Sequence, residues 1–245
     1  MPITLSNGRE WPSQNAAKEH FRKILYRYET NEIVSDPIDR DDLLALLERY
    51  DATVTSGPSK LGLGVKNFQR RQNRGEGWTT PGFWVLRTDG TETDFSFPTA
   101  ITGKPKPPSQ EFSDACRAAV AIDLAAAKKR HFKDYGDPDG CVECELTGAR
   151  LTFQEAHLDH AYPSFGHLVV AFRAARQWHN TIPPGVLTNP ADEQTTTSFA
   201  DPAIAEAFRQ FHHAAATMRV IAAKRNLSMA SAQRRPNVKQ PVRLE

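Results

Sequence analysis

Two β-prone runs, FWVLR at residues 83–87 and ETDFSF at residues 92–97, stand on either side of the pair Asp89-Gly90. Asp-Gly between extended runs favours a type I′ turn, so residues 83–97 are predicted to form a β-hairpin. An isolated hairpin is at best marginally stable in water and needs other elements packed against it. The surrounding sequence offers helices. Residues 13–28 have Ser13 as a candidate N-cap and place Ala17, Phe21, Ile24, Leu25 and Tyr28 on one face. Residues 39–50, DRDDLLALLERY, carry acidic side chains in the first turn, where the helix dipole favours them. The chain is therefore expected to be α+β.

The rest of the chain divides into recognisable pieces. Residues 56–77, rich in Gly and basic side chains, predict a long irregular surface loop. TGKPKPPSQ, residues 102–110, breaks regular structure ahead of an Ala-rich helix over residues 110–132. That helix ends in KKRHFKDYGDPDG, cationic residues followed by Gly and Pro, and a domain boundary is placed there, near residue 135. Beyond it come two short strands around Gly148, a helix over residues 164–178, and a loop over residues 183–202. A last helix is capped by Asp201-Pro202, with Ile204, Phe208, Phe211, Ala215 and Met218 as its apolar stripe. The expected division is residues 1–135, residues 136–232, and a basic tail over residues 233–245.

Apolar residues make up 39% and charged residues 24% of the 245, which suits a globular protein. No apolar run approaches a membrane span, and the opening MPITLSNGREW lacks the pattern of a signal peptide. Three cysteines (Cys116, Cys141 and Cys144) cannot complete a disulfide framework, which fits the reducing cytoplasm. The net charge is only +2, but it is clustered. Lys60, Lys66, Arg70, Arg71 and Arg74 occupy residues 60–74 with no acidic residue among them. Residues 219–245 include Arg219, Arg225, Arg234, Arg235, Lys239 and Arg243 against Glu245 alone. Clustered cations on a nearly neutral chain suit a polyanion such as nucleic acid. Phe68, Trp78 and Trp84 are candidates to stack on bases, with core packing the alternative for Phe68 and Trp84.

FQEAHLDHAYPSFGHL, residues 153–168, gathers His157, Asp159 and His160 ahead of Tyr162-Pro163. Asp159 and the distant Asn226 offer hard oxygen ligands suited to Mg²⁺ or Mn²⁺. A histidine beside them could take a proton from a water that attacks phosphorus, since its ordinary pKa lies near neutrality. Together these residues describe metal-assisted phosphodiester hydrolysis. His157 is a candidate either to approach the metal site or to sit at a strand end on the surface, Asn180 competes with Asn226 as a ligand, and solvation explains His167 and His179.

Three segments in order, CELTG (144–148), LDHAYP (158–163) and MRVIAAKRN (218–226), resemble the HNH, or ββα-metal, nuclease family. The resemblance implies that Asp159 and Asn226 bind one divalent ion and that His160 is the general base. The usual middle Asn corresponds to Thr217, so His212 on the preceding helix is the candidate to orient the base. Ala222 and Arg225 stand where zinc-stabilised members have a second cysteine pair, so Cys141 and Cys144 imply no structural zinc. Residues 5–100 resemble the DCL-type (defective chloroplasts and leaves) domain through LSNGREWPSQNAAKEHFRKILYRY, DRDDLLALLERY, KLGLGVKNFQ and FWVLRTDGTETDFSF. That resemblance implies nucleic-acid recognition. The combined expectation is an endonuclease acting on double-stranded DNA, in restriction or phage biology, as a monomer or a homodimer. A nuclease that processes structured RNA, and a nucleic-acid-binding protein with a decayed nuclease site, are the alternatives.

Overall fold

The structure is a computed structural model describing residues 2–54, 57–75, 78–192, 194, 196–223 and 237–244, with Trp78 described by its backbone alone. It is mixed α+β. Two compact units are formed, the first from Met1–Glu111 and Thr188–Thr197, the second from Phe112–Leu187 and Ser198–Glu245. The units thus divide at Glu111/Phe112 rather than near residue 135, and the predicted loop over 183–202 is shared between them.

The first unit opens with β1 (Ile3–Thr4) paired to β2 (Glu10–Trp11). α1 (Gln14–Arg27) starts where the Ser13 side chain accepts the Ala16 amide at 3.2 Å. It buries Ala17, Phe21, Ile24 and Leu25. α2 (Pro37–Thr53) is longer than predicted, because its cap is Asp36, which accepts the amides of Ile38 and Asp39 at 2.8 and 3.2 Å. Pro37 occupies the first turn, where no amide partner is needed.

β3 (Val65–Gly75), β4 (Trp78–Arg87) and β5 (Glu92–Phe95) form an antiparallel sheet in that order. The β4–β5 hairpin turns at Asp89-Gly90, with Gly90 at φ 84° and the Arg87 amide donating to Thr91 O at 2.9 Å. β3 corrects the expected loop over 56–77. Over residues 65–74 only Phe68 is buried, so the strand has no apolar alternation to reveal it. Pairing with β4 creates it instead. Phe68, Phe83, Val85 and Phe95 close a core with α1, α2 and α3 (Phe97–Thr102).

Residues 188–197 join this unit through an ion pair between a buried guanidinium and a partly exposed carboxylate. Arg87, 4% exposed, donates from Nη1 and Nη2 to the two carboxylate oxygens of Asp192 at 2.7 and 3.0 Å. That guanidinium holds the Asp192 carboxyl below its ordinary range.

α4 (Pro108–Tyr135) leads into the second unit, followed by β6 (Val142–Glu143), β7 (Arg150–Leu151), β8 (Ala156–Tyr162), α5 (Phe165–Ala175), α6 (Pro202–Ala215) and β9 (Thr217–Ala222). β6 pairs with β7 across the Gly148 turn. β8 pairs antiparallel with β9, placing Asp159 opposite Arg219 and His160 opposite Met218, although α5 and α6 separate the two strands in sequence. Phe112 of α4, Phe172 of α5 and Phe208 of α6 pack together, with ring centroids 6.5 Å apart for Phe112–Phe172 and 5.1 Å for Phe172–Phe208. Among the described residues no helix is long and apolar enough to cross a membrane.

Removing Asp192 leaves the buried Arg87 guanidinium with only the Lys60 and Ser59 carbonyls and the Thr91 hydroxyl as acceptors, and because the lost carboxylate is partly exposed the cost is about 1–2 kcal/mol. Asp192→Ala should lower unfolding stability by about that amount in urea titrations. The double variant Arg87→Met/Asp192→Ala should recover most of it. Equal stability of Asp192→Ala and the unmodified protein would show that residues 188–197 do not complete the unit.

Candidate active site

The second unit assembles a line of imidazoles. His160 projects from β8, and its Nε2 lies 2.8 Å from Nε2 of His212 on α6. Nδ1 of His212 lies 3.0 Å from Nδ1 of the neighbouring His213, whose Nε2 lies 3.0 Å from the carboxylate of Asp123 on α4. Arg209 also reaches Asp123, Nε to Oδ2 at 3.0 Å. His212 has no exposed surface and packs against the Phe208 and Phe165 rings. Burial, and then the nearby His213, pull its pKa down to about 4, against the smaller opposing effect of Asp123. His212 is therefore a neutral ring at physiological pH.

His160 is half-buried and rests against Phe165, centroid to centroid 5.3 Å. The exposed guanidinium of Arg117 lies 4.6 Å from the centre of the same Phe165 ring. His160 and Arg117 thus both contact the Phe165 ring. Sequence reasoning found His160 and His212 but missed Asp123, His213, Arg117 and Phe165. The adjacent pair His212-His213 near the end of a capped helix was the available signal. Asp123 and Arg117, in the Ala-rich helix, gave none.

The expected metal pair fares differently. Asp159 is 4% exposed, and its Oδ2 accepts from Arg219 Nε at 2.9 Å, with Arg219 2% exposed. Arg219, predicted as a nucleic-acid contact, is instead the buried partner of this carboxylate. Asn226 lies outside the described residues, as do Arg225, Arg234 and Arg235. Among the described residues no group of three or more His, Cys, Asp or Glu side chains is arranged to hold a metal ion. Cys144 is buried, which pushes its thiol up. Hydrogen bonds from the Thr147 side chain and from the Ala222, Leu146 and Thr147 amides outweigh this and lower it overall. Thr217 opens β9 opposite Tyr162, while His157, His167, His179 and Asn180 are exposed.

The basic cluster of the first unit is divided by the strand that carries it, because alternate residues of β3 point to opposite faces. Arg70 lies over the Tyr26 ring, 5.9 Å from its centroid, and donates to Thr30 Oγ1 at 2.9 Å. Arg71 faces the other way, 4.8 Å from the centre of the Trp84 ring, and holds Glu92 through two hydrogen bonds at 2.5 and 3.0 Å. Trp84 is half-buried and donates from Nε1 to Asn73 Oδ1 at 2.8 Å. A Cβ at Gly82 would come within 2.7 Å of the Asn73 amide, so the small residue leaves room for that side chain. Lys60 is not a surface cation: it donates to Thr93 Oγ1 at 2.7 Å and lies 3.6 Å from Asp192. Phe68 is core rather than a stacking platform. Lys66 and Arg74 are the exposed members.

Comparison with known proteins matches residues 22–101 to a family described as "Protein of unknown function (DUF3223)". No curated protein matches. The chain is similar to an uncharacterized protein from Rhodospirillum rubrum whose solution NMR structure is known, with 36% identity over 41% of this chain and 88% of the other, at a TM-score of 0.34. These findings overturn the family resemblances drawn from the sequence. The N-terminal segment matches a family of unknown function, and nothing found supports either an HNH nuclease or a DCL-type domain.

The buried His212 makes stability depend on pH. Its folded pKa of about 4 lies below its ordinary 6.5, so the unfolded chain takes up the proton first. The contribution is complete above about pH 6.5 and disappears as the pH falls toward 4, up to roughly 3 kcal/mol. His212→Phe should therefore lose less stability than the unmodified protein between pH 7 and pH 4.5, measured by urea unfolding. Parallel profiles would mean that His212 is solvated.

Proposed function

We propose that this protein hydrolyses phosphodiester bonds in nucleic acid, with His160 as the general base. The observation that carries the reading is the His160 ring, hydrogen-bonded at one edge to a buried neutral histidine and packed on an aromatic group that bears Arg117. A positioned imidazole and an exposed guanidinium that share one aromatic ring suit removal of a proton from an attacking water near an anionic phosphate. Asp159 and Asn226 are the residues that would hold Mg²⁺ or Mn²⁺, and such an ion, when bound, neutralises phosphate charge. Asp159 is a hard donor of the right kind. Because Asp159 Oδ2 is engaged by Arg219, the step uses the protein's other groups: Arg117 attracts the anion, His160 takes the proton of the attacking water as the new P–O bond forms, and the displaced ester oxygen leaves and takes a proton from solvent. The three thiols suit a reducing compartment such as the cytoplasm.

A second reading has its own observation. A carboxylate already neutralised by a buried guanidinium suits a protein that binds nucleic acid without cutting it. Incubation of the purified protein with plasmid DNA and with structured RNA, in Mg²⁺ and in EDTA, separates the two.

His160→Ala should bind as well as the unmodified protein and cleave about 10²–10⁴-fold more slowly. Cleavage at an unchanged rate would remove His160 from the reaction, and activity that survives EDTA would remove the metal. Lys66→Ala/Arg74→Ala should reduce the slope of log affinity against log salt by about 2 on duplex DNA, one phosphate contact per cation lost. Lys60→Ala should leave that slope unchanged, because its ammonium is held internally.

A further inference from the structure

Each neutral imidazole carries one N–H and one lone pair, so a line of three histidines can hydrogen-bond throughout only if each N–H points the same way along it. The direction here is set at the far end. The Asp123 carboxylate can only accept, which makes Nε2 of His213 the donor; in the neutral ring, the form to which this assignment applies, Nδ1 is then an acceptor. Nδ1 of His212 must then carry hydrogen, and its Nε2 must accept. That assigns the donor in the last contact to Nε2 of His160 and places the lone pair of His160 on Nδ1. Burial keeps the middle ring neutral, which the alternation requires.

We infer that Asp123, His213 and His212 are positioning residues which fix His160 as the Nε2–H tautomer, making Nδ1 the nitrogen that takes the proton in the proposed hydrolysis. The inference rests on the hydrolase reading for its chemistry and on the hydrogen-bond chain for its geometry. Arg209 holds Asp123 at the outer end, so the carboxylate that sets the direction is itself anchored. The arrangement spans three separate elements: Asp123 on α4, His212 and His213 on α6, and His160 on β8. A tautomer set by the partner of the opposite ring nitrogen is how histidine is oriented generally in catalytic and metal sites. Here two further imidazoles carry that instruction from a carboxylate that does not touch His160.

The test combines spectroscopy with kinetics on the full chain. Long-range ring spectra of ¹⁵N-histidine-labelled protein at pH 7.5 report which nitrogen of each ring carries hydrogen. The expected result is hydrogen on Nε2 of His160, Nδ1 of His212 and Nε2 of His213. Hydrogen on Nδ1 of His160 in the unmodified protein overturns the inference without any variant or activity measurement. His213→Phe removes the acceptor for His212 and should mix the His160 tautomers. It should also lower kcat about 10–100-fold on plasmid DNA or bis(p-nitrophenyl) phosphate, with KM little changed. His213→Asn places a carbonyl oxygen near the lost Nδ1 and should restore both the tautomer and most of kcat. Mixed tautomers with unchanged kcat overturn the positioning role. If the tautomers are as assigned and the unmodified protein cleaves neither substrate, the hydrolase reading fails while the hydrogen-bond chain stands.

Discussion

The second unit depends on aromatic packing between three helices. Phe112, Phe172 and Phe208 bring α4, α5 and α6 together, and the rings exclude water from the space where His212 lies. An imidazole without water is costly to charge, so packing that looks like ordinary core formation also sets the chemistry of the histidine beside it. The same rings fix the α6 backbone, from which His213 reaches α4. Burial, helix placement and hydrogen-bond direction are one event in this unit.

The elements announced by local chemistry were legible in the sequence. Ser13 and Asp201 capped their helices as expected, and Asp89-Gly90 closed its hairpin. β3 was not legible because its signal is relational. NFQRRQN contains one buried residue, and its alternation becomes meaningful only when β4 lies beside it. Reading it as a loop had a cost downstream, since Arg70 and Arg71, neighbours in one patch on a loop, point to opposite faces of the strand, and Lys60 lies outside it. The end of α2 and the extent of α4 were missed for the ordinary reason that helix length is settled by packing more than by propensity.

The site was partly legible. Asp159-His160 stood out because three polar groups, His157, Asp159 and His160, in so short a stretch ask for an explanation, and His212 was named as a partner for the base. The rest could not be read from the linear order. His213 and Asp123 are ninety positions apart, and Asp159 and Arg219 are sixty apart. Short motifs carry no record of such partners. LDHAYP invites a metal at Asp159, while the folded chain gives that carboxylate a guanidinium. The family drawn from the pattern was not supported by comparison with known proteins.

The first unit is assembled from two stretches separated by seventy-six residues of the other unit, 112–187. A ribosome makes residues 1–111 well before Asp192, so the emerging N-terminal part carries Arg87 without its carboxylate until the later stretch appears. Completion of the first unit is therefore timed by synthesis of most of the second. The segment matched to a family of unknown function, residues 22–101, is likewise shorter than the unit in which it folds here. A fragment ending at Glu111 would lack the carboxylate that pairs with Arg87.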